Sequence, residues 1–511
     1  MSSIASGRPA GRLDIARALQ PYHGPWDLRL AAHLLRRAGF GGSPADVERF
    51  SRLSPSAAVD ALVGFDPEEG LADVPPGIDT SQYERLLLAL NRNALSPQQV
   101  VQMLPQATQQ MAMSSAAASS DVTIAAARAA LSRRYLLPAM ASAQRWWLGR
   151  MLLTQAPLQE KMTLFWHGHF TSEVLAKGTM PREIVAQNQL FRRYALGNVR
   201  ELTRLVAQDP AMLKYLDNAR SQKAHPNENF ARELMELFTM GIGNYGEQDV
   251  RESARAFTGW TLRRNAFFEN PATHDDGVKT FLGRRGNFDG NDIVEIIFQQ
   301  PATARWFAGK LLSAFLYNDP EPELVTATAN LLRKNGYELR PVMAVLLRSN
   351  VFYSNRAYRA LVKSPVEFVV GAFQLYGISD VPLAALAQLA RMGQTLFRPP
   401  SVKGWDGGMA WLNSQSLLTR ENFASALLTS PLMPPNSWIS DGMPADAKSA
   451  AARLVWMILH GDTSTASLGR LVSYLEGDET TANGAFSGEN FAERIRGAAY
   501  LTMAMPAYQL C

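Results

Sequence analysis

Three of the chain's seven histidines fall in two short polar stretches, FWHGHFTSE at residues 165–173 and THDDGVKTFLG at residues 273–283. His167 and His169 stand two residues apart. In extended chain that spacing sends both imidazoles the same way, as a shared metal ion requires, whereas on a helix they diverge; the intervening Gly168 points to the extended case. With His274 and nearby carboxylates they compose a mixed donor set of the kind that takes zinc, manganese or non-haem iron. The competing reading of an HxH pair is hydrogen-bonded packing in an aromatic cluster.

The carboxylates come from HPNENFARELMELFTMGIGNY, where a Pro and an Asn mark a helix start and Gly241 its end, so a helix is expected over residues 228–240. At about 100° per residue, Phe230, Leu234, Leu237 and Phe238 form an apolar stripe, and Asn229, Glu233, Glu236 and Met240 an adjoining one. Glu233 and Glu236 therefore share a face beside the core. Downstream, EQDVRESARAFTGW buries Val250, Ala254 and Phe257 and sets Arg251 and Arg255 one turn apart.

Two functions fit these residues. In an enzyme, the histidines and one glutamate hold a divalent metal, the second glutamate is the general base, and Arg232, Arg251 and Arg255 bind an anionic substrate. A metal-free hydrolase would instead use Asp275 or Asp276 as base. In a scaffold, the same glutamates and arginines are mutual counter-ions tying helices together. A metal-dependent hydrolase or oxidoreductase and a non-catalytic accessory subunit both stay open.

A further polar and aromatic stretch is GQTLFRPPSVKGWDGGMAWLNSQSLLTREN at residues 393–422. Pro399 and Pro400, followed by Gly404, Gly407 and Gly408, force a loop that presents Lys403, Trp405, Asp406 and Trp411. Flat aromatics beside hydrogen-bonding groups suit a sugar ring or another planar ligand; the alternative is that both tryptophans plug the core.

The elements that must position these groups are helical. A chain of 511 residues, 47% hydrophobic, has ample material for a core. From residue 124 to 374 it runs as successive helical patterns broken by Gly and Pro, with few alternating runs and no regular repeat. The expectation is an all-α, large multi-helix globular domain with long connecting loops: a flexible leader at 1–25, a core domain at 26–432 that opens with a helix–loop–helix, and a linker with C-terminal helices packing on the same core at 433–511. Residues 96–123, rich in Gln, Met, Ala and Ser, read as a mobile helix or internal linker, and residues 433–449 as weakly structured.

Charge narrows the partners. Fifty-one basic against 46 acidic residues leave +5 spread over a long chain, and the pairs Arg36/Arg37, Arg133/Arg134, Arg263/Arg264 and Arg284/Arg285 are scattered, which disfavours nucleic acid. Cys511 is the only cysteine, so no intramolecular disulfide and no cysteine-based zinc or iron–sulfur site can form. The first residues lack the apolar run of a secretory signal, and no stretch of about 18 apolar residues reads as a transmembrane segment. As written the chain reads as cytoplasmic; a start site further upstream would make it periplasmic or exported. There is no GxxxxGK[ST] or GxSxG at a strand–helix junction, and GIGNYG fits a dinucleotide fingerprint only formally because a helix precedes it.

Taken in order, AAHLLRRAGFGGSPADV, EKMTLFWHGHFTSE, PNENFARELMELFTMGIGNYGEQDVRESARAFTGW, HDDGVKTFLG and PPSVKGWDGG resemble the bacterial domain-of-unknown-function 1800 family over nearly the whole chain. The resemblance implies a largely helical single domain, often exported, and often encoded beside an alkaline-phosphatase-like protein, which makes such a protein the candidate partner. It implies no established activity, so a glycan or anionic small-molecule substrate rests on the loop tryptophans and on analogy with the family's envelope associations. Where the family tends to place a hydroxyl residue before the acidic helix start, this chain has Gly246, a weaker cap.

Overall fold

Helix starts marked by Pro at the first position, or by a Ser, Asp, Asn or Thr cap, recur along the chain. A computed structural model describing residues 14–114, 122–430, 446–477 and 491–511 is built from the helices they open. Helix accounts for 62% and strand for 5%, which makes the protein all-α. The strands form two small antiparallel hairpins, β1 (Trp260–Arg263) with β2 (Ala266–Glu269) and β3 (Lys279–Phe281) with β4 (Arg284–Gly286). No described helix is long and apolar enough to cross a membrane.

The apolar faces gather into two large cores and a small one. The first surrounds Trp166, Phe170, Phe307 and Phe315 and takes in the helices Leu28–Arg37, Pro157–His169, Val199–Ala207 and Pro301–Phe315. The second surrounds Trp147, Phe368, Phe373 and Leu454 and takes in Leu137–Leu153, Pro365–Leu375, Ser414–Leu428, Ala447–Leu459 and Thr465–Glu476. A third joins Ser81–Asn91, Pro97–Gln102 and Ile124–Leu131. A buried ion network links the first two: Glu160 accepts from Arg192, Arg150 and the Trp147 indole, so three helices share one carboxylate.

Some expected loose segments are ordered. Asp14 caps the short helix Ile15–Ala18, and backbone bonds from Tyr22 N to the Arg348 carbonyl (2.7 Å) and from Asn350 N to the Gln20 carbonyl (2.9 Å) fasten the chain well before Trp26. Residues 1–13 of the expected leader lie outside the described residues. Within 96–123, a Ser96–Gln99 capping box opens Pro97–Gln102, and Val100, Val101 and Leu104 are buried, so this part is core rather than linker; residues 115–121 are outside the description. Most of the segment 433–449 is likewise outside it, while Asp446 caps Ala447–Leu459 through Ser449 N (2.8 Å).

Candidate ligand-binding cleft

The histidine stretch is helical through His169, which corrects the extended conformation expected from Gly168. Pro157 opens the helix Pro157–His169, and Phe170 closes it with its N–H on the Trp166 carbonyl (2.7 Å). Two residues of helix turn the imidazoles roughly 200° apart. His167 enters the second core, with ring centroids 5.4 Å from Trp147, 5.5 Å from Phe397 and 5.6 Å from Trp405, and its Nε2 is buried without a partner among the described residues. His169 packs between Phe170 and Phe307 in the first core, and its Nε2 donates to the Phe238 carbonyl at 2.9 Å, leaving Nδ1 unprotonated. Burial pushes both pKa values down to about 3; for His169 the charge of Lys310 adds to this and the carbonyl bond opposes it. Both rings are therefore neutral at physiological pH.

The two histidines should respond oppositely to substitution. An orphaned buried nitrogen costs stability whereas a satisfied one does not, so His167→Phe is expected to leave stability unchanged or raise it by about 1 kcal/mol, and His169→Phe to lower it by about 1–3 kcal/mol. Urea denaturation of both variants checks this; equal losses would show that His167 Nε2 is not an orphan.

The acidic helix changes type midway. Asn227 caps Glu228–Glu233, and Leu234–Thr239 then continues as a wider π turn, closed by Met240 N on the Met235 carbonyl (2.8 Å). Its last carbonyls have no partner within the helix. Leu237 O accepts from the Trp306 indole (3.2 Å) and Phe238 O from His169. Gly241, at φ +78°, ends the element where a Cβ would stand 2.8 Å from the Trp306 ring. Glu236 accepts from the Tyr245 hydroxyl at 3.0 Å. The Glu233 carboxyl is pushed up by burial and by Glu236, against the pull of Arg232 and Lys403.

The tryptophan loop is held at its root by Gln144 donating to the Leu396 carbonyl (2.8 Å) and Val174 N to the Phe397 carbonyl (2.9 Å). It then crosses from the second core to the first, where Val402 packs. Gly404, at φ +84°, lies against the histidine helix so closely that a Cβ would overlap the Gly168 carbonyl oxygen. Lys403 and Asp406 are exposed, Trp405 is half-buried over His167, and Trp411 is buried.

These three elements and Pro301–Phe315 enclose a cleft of two adjoining cavities, about 350 and 360 Å³, that share Gly168, His169, Lys310 and Lys403. Glu236, Trp306 and Val402 line one side; Lys161, Glu367, Asn318, Trp405, Asp406 and Trp411 line the other. Lys161 and Glu367 pair with each other. Lys310 and Lys403 make no ion pair among the described residues; Lys310 Nζ sits 4.6 Å from the centroid of the Trp306 ring, and loss of solvent lowers its pKa. The volume is that of a small-molecule site. Two further cavities of comparable size, one near Gln374 and one near Trp146, contain none of the candidate catalytic, metal-ligating or substrate-binding residues.

Of those residues, His169, Glu236, Lys403, Trp405, Asp406 and Trp411 come together here, and the others do not. His274 Nδ1 is 2.7 Å from the Thr258 carbonyl, pinning its own loop. Asp275 is held by both ends of the Arg255 fork (2.7 and 3.1 Å), whose hydrogen bonds lower its pKa, so it is not a free base. Arg232 binds Glu247 through two bonds (2.8 and 2.9 Å), joining the acidic helix to Glu247–Ala256. Arg251 is exposed. None of His274, Asp275, Arg232, Arg251 and Arg255 lines the cleft. His167, His169 and His274 thus do not converge as one donor set, and among the described residues no group of three or more His, Cys, Asp or Glu is arranged to hold a metal ion. Sequence reasoning missed Lys310, Lys161 and Glu367. The available signal for Lys310 was a lysine four residues after Trp306 in a helix whose one other charged residue is Arg305.

A predominantly helical scaffold whose π turn, histidine helix and glycine-rich tryptophan loop frame a lysine-lined cleft is the class of protein that fold and site define. The chain belongs to the family described as protein of unknown function (DUF1800), whose family model matches residues 33–510. No curated protein and no solved structure matches it.

Proposed function

We propose that the protein binds an anionic, carbohydrate-type ligand in this cleft, with Lys310 and Lys403 reading negative charge, Trp405 and Trp411 the sugar ring, and Glu236 handling protons. The observation that carries the reading is that Lys310 and Lys403, which make no ion pair among the described residues, line one cavity with His169 and Glu236. A lysine beside a desolvated wall attracts an anion more strongly than one already paired. His169, neutral, serves as a hydrogen-bonding group rather than a base, since efficient base catalysis wants a pKa near the working pH. A metal-assisted version of this chemistry needs a donor set other than the three histidines.

The test is calorimetric titration with a uronic-acid trisaccharide and its neutral counterpart. Lys310→Met and Lys403→Met are each expected to weaken binding of the acidic sugar about tenfold or more, the loss of one charge-assisted contact, and to leave stability unchanged. Absence of binding, or equal affinity of both variants and the parent, rejects the reading. The accessory-subunit alternative is supported by the Arg232–Glu247 and Arg255–Asp275 pairs, which use those charges to hold helices together. It predicts instead co-purification with an alkaline-phosphatase-like protein.

A further inference from the structure

The Arg36/Arg37 pair, one of the scattered basic pairs of the sequence, lies inside the protein. Arg36 is 5% exposed and Arg37 1%, both at the end of the helix Leu28–Arg37. Arg37 is largely satisfied: it donates to the Leu316 carbonyl and to the Ala357 carbonyl (3.2 Å), and reaches Cys511 Sγ at 3.8 Å. Arg36 is not. Its Nη1 meets His460 Nδ1 at 3.2 Å, but its Nε and Nη2 are buried with no hydrogen-bond partner among the described residues. Those two N–H groups lie on the same edge of the guanidinium and form the fork that grips two oxygens of one oxyanion.

The surroundings supply more positive charge. A small cavity of about 30 Å³ is lined by Arg36, Arg359, Lys363, His460 and Tyr508, with Gly41 and Gly42 among its other walls. Arg359 is matched by Asp462. Lys363 is buried, has no carboxylate in ion-pair range among the described residues, and sits with Nζ 3.8 Å from the centroid of the Tyr508 ring. The Tyr358 ring lies 5.8 Å from the Arg36 guanidinium. Arg36, Lys363 and His460 all have lowered pKa values, first through burial and then through repulsion with Arg359 and one another; for Arg36 and Lys363 the neighbouring Cys511 offsets only part of this. Buried cations without counter-charge are costly, and an anion between them removes that cost.

We propose that this cavity is a binding site for a small tetrahedral oxyanion of the phosphate or sulfate class, gripped by the Arg36 fork and neutralised by Lys363. Its volume holds two or three waters or one such ion, and is far below that of the main cleft. The residues come from both large cores: Arg36 from an N-terminal helix, Lys363 from the approach to Pro365–Leu375, and His460 from the end of Ala447–Leu459. A bound ion therefore fastens one core to the other, independently of the cleft.

Inorganic phosphate against chloride at matched ionic strength is the direct experiment, read by thermal unfolding and by calorimetry on the full chain. The expected result is saturable stabilisation by phosphate that Arg36→Met abolishes and Arg36→Lys, which keeps the charge but not the fork, weakens about tenfold or more. In phosphate-free buffer Arg36→Met should melt no lower than the parent. Phenyl phosphate, too large for the cavity, should not compete. No saturable response, an undiminished response in Arg36→Met, or phenyl phosphate binding tighter than phosphate would each overturn the proposal. Calorimetry on the parent decides it even if Arg36→Met does not fold.

Discussion

Glu160→Ala is expected to lower folding stability by about 3–5 kcal/mol, the cost of stranding buried charge. Glu160 is fully buried, and so is Arg192, which grips it from Nε (2.6 Å) and Nη2 (3.0 Å). Arg150 reaches it at 3.2 Å and the Trp147 indole donates at 3.0 Å. Deleting the carboxylate leaves Arg192, among the described residues, with Asn188 (2.9 Å) as its one side-chain acceptor and breaks the link between three helices. Acid should remove the same contribution. Burial raises the Glu160 pKa, but Arg192 and Arg150 outweigh it and hold the folded value below the ordinary 4.5. A depressed carboxylate stabilises fully above its unfolded pKa and loses that stabilisation as pH falls through the folded value. The stability gap between the parent and Glu160→Gln, measured by urea denaturation, should therefore be constant above about pH 5 and narrow below pH 4.5. A loss under 1 kcal/mol for Glu160→Ala at pH 7 would mean the network is solvated and replaceable.

Gly404→Val is expected to cost about 2–5 kcal/mol and to abolish ligand binding in the cleft, combining backbone strain with overpacking. At φ +84° a β-branched residue is strained on its own, and its Cβ would overlap the Gly168 carbonyl oxygen, which belongs to a helix and cannot give way. The loop must lift, taking Lys403 and Trp405 with it. Gly168→Ala is the control: there a Cβ comes no closer than 3.9 Å, to the Trp405 ring, and the helix gains about 1 kcal/mol of propensity. Thermal melts and near-ultraviolet circular dichroism of the tryptophans separate the two variants. If Gly404→Val melts with the parent and keeps its aromatic signal, the loop is not wedged on the histidine helix.

The contrast between those glycines shows why part of the site was legible and part was not. Gly168 reads as a helix breaker, yet it sits in the last turn of an intact helix, where the main chain of the tryptophan loop arrives from far along the sequence. That one misreading reverses the geometry of His167 and His169, and with it the shared metal site. The pairing of Glu233 with Glu236 was readable because it follows from helical period alone. The partner of Arg232 was not: the helices are joined by Arg232 and Glu247, while Glu233 and Glu236 face elsewhere.

By itself, the sequence determined what local physics controls. Caps, prolines and apolar periodicity act over a few residues, so the helices, the all-α class and the glycine-rich loop bearing Lys403 and Trp405 follow from neighbouring positions. The tertiary structure decided what distant segments do to one another. It turned Asp275 and Arg255 into a clamp, placed Lys310 beside Lys403 with no ion pair among the described residues, and buried Arg36. Which charges find a partner depends on which helices meet, and no local pattern encodes that meeting.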